Sequence, residues 1–573
     1  MLVVAFFAAP TAHAQGTSAT ETEAGIPVTD TMVREKCGNC HASDDKGNMS
    51  RISWIRTTPE GWEQAIKRMV RLNSLKITPE EARHIVKYLA ARHGLAPEEA
   101  KPVMYMPEHR IQDETNIPND AVRGACSTCH SFGQALSWRR SKKEWSLLQS
   151  LHIALYQQAD AFYRRPAPAG EGESTEEHGK PRPQGDVALD YMIKTAPLHT
   201  PEWEAWQSRE QTPQLAGRWA VTARAIGQGR FVGEMVIEPG PTADEFKTSV
   251  KLRSLKDGST LERSGTGIIY AGYSWRGRSS GQAPQAMHPD NISTDAREVL
   301  WFSPDQGTAE GRWFWGFYQE FGFDVRLTRE SAAPMVTAVD PRTLKAGTQG
   351  IQLKIIGANL PPSITAEDLH LGAGVKVNRF VSQSPTELVA DVDVAADATS
   401  GMRDAQVGGA ALARAFVVYH HIDFLKVMPE GTIARLGGAT HPKGYRQFEA
   451  VGYENGPDGK PNTEDDLRIG PVDATWKLEE FMTYYNDDDT KFVGKLGPMG
   501  LFTPNIDGPD PARRFSRNNY GEVWVTATDK ADKDRFGQPL TARSYMVVAV
   551  PEYLRWDQPE VSQPEGMAPE SPQ

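Results

Sequence analysis

Cys37-Gly38-Asn39-Cys40-His41 and Cys126-Ser127-Thr128-Cys129-His130 are two copies of one pentapeptide, C-x-x-C-H, and together they use all four cysteines of the 573-residue chain. The spacing is that of covalent haem attachment: two thiols add to the two vinyl groups of one porphyrin, and the adjacent histidine is placed beneath the ring to ligate iron. Cys37, Cys40, Cys126 and Cys129 are therefore read as the anchors of two c-type haems, with His41 and His130 as iron ligands. One zinc site built from both cysteine pairs is the main competitor, but ribbon sites space their pairs roughly 15–20 residues apart. Here 85 residues lie between Cys40 and Cys126. A thioredoxin-like dithiol would need a βαβ setting, which neither stretch has, and disulfides are the remaining alternative.

The segments downstream of the two pentapeptides are duplicated too. Ser53-Trp54-Ile55-Arg56-Thr57 and Pro59-Glu60-Gly61-Trp62 are matched by Ser137-Trp138-Arg139-Arg140-Ser141 and Lys143-Glu144-Trp145. Thr58 before Pro59 reads as an N-cap with proline at the first helical position, and Ser141-x-x-Glu144 as a capping box. Ile85-Val86-Lys87-Tyr88-Leu89 matches Ala188-Leu189-Asp190-Tyr191-Met192 further on. The duplication implies two small helical cytochrome c units in tandem, about 25–108 and 109–208 within a 15–208 domain.

The repeat nominates the sixth iron ligands. Met69 and His152 each stand seven residues after the matched tryptophan, nearly two helical turns on, and so on the same helix face as it. A thioether and an imidazole both bind haem iron, which assigns Met69 to haem 1 and His152 to haem 2. A methionine that merely fills core space is the commoner case. Met49, Met104 and Met106 are rival thioethers; His84, His93 and His199 are rival imidazoles, the first two expected to face solvent or cap the third helix and the last to be structural. A Met/His pair favours reduced iron relative to His/His, so electrons are expected to run from haem 2 to haem 1. Arg164 to Asp186, rich in Pro, Gly and Glu, reads as a long surface loop.

The charge balance, 63 basic against 74 acidic residues for a net −11, is not that of a nucleic-acid binder. No apolar run after the N-terminus is long enough to span a bilayer. Residues 1–14 read as the remnant of a secretory signal, an apolar stretch ending in Ala12-His13-Ala14 but without a basic start. Export suits c-type haem, and a periplasmic address is expected.

From about 209 the pattern turns to period-2 alternation with turn glycines, the mark of antiparallel β structure. Gly217–Val221, Phe231–Ile237, Gly267–Tyr273 and Gly311–Phe317 read as strands of an antiparallel barrel over 209–332 with a packed aromatic interior. Residues 333–419 resemble an immunoglobulin-like module of the transcription-factor/plexin type, and 420–557 read as a second immunoglobulin-like β domain centred on Gly521–Ala527. The oxygen-rich stretch Asp458–Asp466 departs from EF-hand spacing and reads as a solvated acidic turn. The tail 558–573 is expected to be disordered. The fold class is thus a multidomain α + β chain with an all-α tandem cytochrome c domain leading a barrel and two sandwiches.

This order of domains resembles the α subunit of quinohaemoprotein amine dehydrogenase. The resemblance rests on both haem motifs, Arg51-Ile52-Ser53, Thr58–Trp62, Met69-Val70-Arg71-Leu72, Thr78–Arg83 and Arg92–Ala100. It implies a periplasmic heterotrimer that deaminates primary amines oxidatively. A β-propeller subunit and a small subunit bearing cysteine tryptophylquinone would be its partners, and a soluble copper protein or cytochrome c its electron acceptor. Amine would react at the quinone of the small subunit, and this chain, with no catalytic residue of its own, would carry electrons. Two other classes stay open: a stand-alone dihaem oxidase or peroxidase, which needs an open iron position, and a cell-surface binding protein with appended cytochrome domains.

Overall fold

The computed structural model describes residues 23–104, 117, 119–168, 181–209, 212–281, 292, 294–438, 440–482, 487–534 and 536–552. The expected signal segment, most of the Arg164–Asp186 loop and the tail lie outside them. The chain forms two compact units, a helical one through Arg209 and a β-rich one beyond it.

The helical unit contains α1 (Thr31–Cys37), β1 (Ile55–Thr57), α2 (Pro59–Asn73), α3 (Pro79–Arg92), α4 (Pro97–Ala100), α5 (Asp120–Cys126), α6 (Phe132–Leu136), β2 (Trp138–Arg140), α7 (Lys142–Leu155), α8 (Gln157–Tyr163), α9 (Gln184–Thr195) and α10 (Pro201–Gln207). Each haem motif starts on the last residue of a short helix, Cys37 of α1 and Cys126 of α5. Asx caps open both: Asp30 accepts from the Val33 amide at 2.9 Å and Asn119 from the Val122 amide at 2.7 Å.

The duplication is visible bond by bond. Thr58 caps α2 by accepting from the Gly61 amide, with Pro59 at the first helical position, and Ser141 caps α7 by accepting from the Glu144 amide. The Trp62 indole donates to the His93 carbonyl and the Trp145 indole to the Ala196 carbonyl, both at 2.9 Å. The capping box expected at Ser141 is only half made. Glu144 turns instead to an ion pair with Arg51 at 3.0 Å, and the Ser141 amide donates to the Trp54 carbonyl of the first repeat at 3.2 Å.

β1 and β2 join the repeats as an antiparallel pair with Ile55 opposite Arg140, Arg56 opposite Arg139 and Thr57 opposite Trp138. Aligning the helix caps Thr58 and Ser141, and with them Trp62 and Trp145, makes Arg56 and Arg139 equivalent, so a local two-fold passes between them. One acid serves both: Glu99 Oε2 accepts from Arg56 at 2.7 Å and Oε1 from Arg139 at 3.2 Å. Arg56 is wholly buried, packs on the Trp203 ring at 4.9 Å and donates to the Gly94 and Leu198 carbonyls. Burial works to raise the Glu99 pKa, but the two guanidiniums outweigh it and hold the carboxyl below its usual value.

In the second unit, β3 (Gly217–Ala225), β4 (Gly229–Pro239), β5 (Glu245–Ser254), β6 (Thr260–Tyr270), β7 (Ser274–Gly281), β8 (Ala296–Phe302), β9 (Thr308–Trp315) and β10 (Phe321–Arg329) form a closed antiparallel barrel in chain order, β10 returning to β3. Trp219, Trp275, Trp313, Phe302 and Phe323 are wholly buried in it. A Cβ on Gly267 would sit 2.0 Å from the Trp275 ring, so glycine is what admits that indole. The interior is not purely aromatic: on the inward phase of β8, Glu298 is buried and accepts from the Trp275 indole at 3.1 Å. Burial raises its pKa, against hydrogen bonds from Ser279 and Trp275 and the nearby Arg263.

Next come β11 (Met335–Asp340), β12 (Thr343–Lys345), β13 (Ile351–Ala358), β14 (Leu369–His370), β15 (Val375–Gln383), β16 (Glu387–Val394), β17 (Gly401–Val407) and β18 (Ala410–Tyr419). They make two four-stranded sheets, β11-β13-β16-β15 and β12-β18-β17-β14, sharing a core that includes Leu353, Ile355, Leu388, Val392 and Phe416. The last region runs through β19 (Phe424–Met428), β20 (Gly431–Arg435), β21 (Arg446–Gln447), β22 (Glu449–Glu454), β23 (Leu467–Pro471), β24 (Ala474–Glu480), α11 (Asp489–Phe492), β25 (Gly494–Leu496), β26 (Leu501–Pro504), β27 (Gly521–Lys533) and β28 (Pro539–Ala549). β27 lies inside the sheet β20-β28-β27-β24. In the acidic turn, Asp458 accepts from the Lys460 amide and Asp466 from the Gly456 and Thr463 amides, so these carboxylates shape the loop's own backbone.

Candidate haem sites

Three histidines share one arrangement. His41 Nδ1 lies 2.8 Å from the Ser50 carbonyl, His130 Nδ1 3.0 Å from the Ser131 carbonyl, and His152 Nδ1 2.9 Å from the Leu148 carbonyl. A carbonyl only accepts, so each Nδ1 carries a proton, and the neutral tautomer this selects has its lone pair on Nε2. That is how a metal-binding imidazole is oriented, with a backbone oxygen behind it.

In the second repeat the pieces gather. His152 on α7 lies within electrostatic reach of His130, which helps burial, the larger cause, to hold its pKa low. The Tyr156 and Tyr163 rings flank His152 at 6.0 and 6.4 Å. Tyr163, at the end of α8, faces Cys126 and Cys129; burial, aided by these two thiols, raises its phenol pKa well above the usual value, so it stays neutral. A Cβ on Gly185 would lie 2.6 Å from Tyr163 Cβ, so α9 approaches α8 through glycine. In the first repeat Cys37, Cys40 and His41 close α1, and half-buried Met69 stands on α2 with its sulfur 3.7 Å from the Asn73 amide.

Among the rival ligands, His84 and His199 are engaged by other groups. Met49 and Met104 are buried, and Met106 lies outside the described residues. His84 pairs with Asp30 at 2.9 Å, and His199 Nε2 donates to the Ala24 carbonyl at 2.7 Å. His93 caps α3 as expected but does not face solvent: it is wholly buried against Trp62 and Tyr88. Burial, aided by nearby Arg56, pulls its pKa to about 3.

The donor set fits covalent haem better than its alternatives. All four cysteines are unpaired, which excludes disulfides in this structure. Burial raises the Cys37 pKa, with Cys40 adding to it, and pushes Cys126 to about 11, the opposite of an activated redox thiolate. Among the described residues the metal-competent groups that converge are Asp487, Asp488 and Asp489, and Arg513 and Arg517 pair with these acids; the two cysteine pairs do not meet. Large apolar side chains also stand exposed beside the candidate distal ligands: Val70 and Leu72 on α2, and Leu151, Ile153 and Leu155 on α7, with Leu72 at 76% and Leu155 at 62%. A porphyrin face is apolar and would cover such surface.

Four family models match in series. The haem-binding region of quinohemoprotein amine dehydrogenase A, alpha subunit, spans 28–164; alpha subunit domain II spans 212–330, domain III 333–420 and domain IV 425–561. The chain belongs to this family. The family region for haem binding covers both C-x-x-C-H motifs, Met69 and His152. No curated protein matches the chain. Similar solved structures include a redesigned β-barrel, b11L5F_LGL, at 14% identity over 20% of this chain and 92% of that one, with a TM-score of 0.17. Human Protocadherin-24 EC1-2 is 10% identical over 38% of this chain and 97% of its own, with a TM-score of 0.14. As a subunit of an amine dehydrogenase, the chain is part of an oxidoreductase.

Proposed function

We propose that this chain is the dihaem c electron-transfer subunit of a periplasmic quinohaemoprotein amine dehydrogenase. Cys37 and Cys40 would hold haem 1, with His41 and Met69 on its iron; Cys126 and Cys129 would hold haem 2, with His130 and His152. When bound, each haem supplies a one-electron centre whose potential depends on its axial ligands. The observation that carries the reading is the shared histidine geometry, Nδ1 on a carbonyl and Nε2 free, at both motif histidines and at His152.

The protein residues orient the imidazoles, offer exposed apolar side chains beside Met69 and His152, and lock the two repeats through Glu99. Electrons from cysteine tryptophylquinone in a small partner subunit would enter here and leave to a soluble copper protein or cytochrome c, with a β-propeller subunit completing the heterotrimer. The bis-histidine centre would be the lower in potential and the Met/His centre the higher. Residues 333–419, built of two sheets, and 420–557, built of three, are read as immunoglobulin-like. Native purification tests this: the chain should carry two covalent haems, both low-spin, and bring two further polypeptides with it. A lone chain with a high-spin, five-coordinate haem would favour the oxidase or peroxidase reading instead.

A further inference from the structure

Among the described residues, Arg140 is a buried charge left without an ion pair. It is 7% exposed, lies over the Trp138 ring at 4.5 Å and near the Trp145 ring at 5.6 Å, and its Nε has no hydrogen-bond partner. Among the described residues no carboxylate reaches it at ion-pair distance. Its electrostatic neighbours are Glu144, whose carboxylate pairs with Arg51 at 3.0 Å, and two further cations, Arg51 and Arg68. Burial pulls its pKa to about 9, which still leaves it charged at neutral pH. An unpaired buried cation is costly unless an anion is meant to meet it.

The position says which anion. Arg140 ends β2, the Trp138 and Trp145 rings that hold it belong to one packed cluster with Cys126, and Trp145 shares a face of α7 with His152, so Arg140 lies beside the site that His130, His152, Cys126 and Cys129 define. The structure sets the repeats one residue out of the register in which Trp54 matches Trp138: by their helix caps, Thr58 and Ser141, and their strands, the residue corresponding to Arg140 in the first repeat is Thr57, so the cation belongs to one site and not to the duplicated plan. With indoles against its plane, the guanidinium has its N–H fork left for a planar acceptor, and a carboxylate matches that fork in two-pronged fashion. Porphyrins of this class carry carboxylates on one edge.

We propose that Arg140 holds a propionate carboxylate of the haem attached at Cys126 and Cys129, fixing that edge of the ring and raising the midpoint potential of that centre. The proposal rests on the dihaem reading. Arg140 is a positioning residue: it does not touch iron. A positive charge near the ring disfavours the ferric state, so its removal lowers the potential.

The test uses the full haem-loaded protein, as wild type, R140M and R140K. Haem content is measured first. Fewer than two covalent haems in the wild type would overturn the functional reading itself, separately from this one. Spectroelectrochemical titration of R140M should then show one haem shifted to lower potential and the other unmoved, with a shift in the propionate bending band in resonance Raman. R140K keeps the charge but loses the fork, so its potential should stay near wild type while the band moves. Unchanged band and titration in R140M, or equal movement of both haems, would overturn the proposal. So would an R140M effect seen only as a lost response to added chloride or phosphate, which would mean a free anion at the site. Should R140M fail to fold, an unmoved band in R140K overturns it alone.

Discussion

At the residue scale, an imidazole must give away one nitrogen to present the other, and His41, His130 and His152 do so through backbone carbonyls. Met69 has no such device; a thioether binds iron unaided, and its assignment comes from its equivalence to His152. Replacing Met69 by alanine should convert one of the two low-spin haem spectra to high-spin and leave the other; an unaltered spectrum would remove Met69 as a ligand. His93 makes a different prediction. Its folded pKa of about 3 is below the ordinary 6.5, so the unfolded chain binds more protons between these values. Stability should be full above pH 6.5 and fall as pH drops through that window, at up to about 1.4 kcal/mol per unit. In H93F the melting temperature should lose this slope between about pH 6.5 and 4.5. The two C-x-x-C-H patterns were legible in the sequence because covalent attachment would fix their spacing locally. Tyr163 and the orphaned Arg140 were not, since nothing local announces what a side chain meets after folding.

At the element scale, the β1/β2 pair carries the joint between the repeats. Glu99 bridges two equivalent, buried arginines across it, and removing one partner of such a group typically costs about 3–5 kcal/mol. Glu99→Gln should therefore lower stability by that order in denaturant unfolding. Because the folded Glu99 pKa lies below its ordinary 4.5, the wild-type contribution is present above that value and is lost as pH falls through the folded pKa. E99Q should lack this acid loss. In the barrel, Gly267→Ala would drive a methyl into the Trp275 ring and should cost about 1–3 kcal/mol or more, with altered indole fluorescence as the local readout. The sequence showed the helix starts, since caps are local patterns, and it showed the strands by alternation. It overstated the capping box at Ser141, because Glu144 is captured by Arg51 from the other repeat. It missed Glu298, a polar residue on an inward phase that alternation counts as apolar.

At the scale of the whole molecule, a helical region with two haem motifs precedes a closed barrel and further two- and three-sheet β regions, in the order of the family's domains. This order was legible because each region has its own period and the repeat marks the first. What the β regions bind was not, since their cores are ordinary apolar packing. In the proposed role this chain accepts electrons released by amine oxidation in a partner. The most direct measurement is the anaerobic addition of a primary amine to the natively purified complex while the haem α bands are recorded. Both haems should be reduced promptly, and that reduction should be lost when the partners are stripped away although dithionite still reduces the chain. Haems that remain oxidised in the intact complex, or that amine reduces in the isolated chain unaided, would exclude this role.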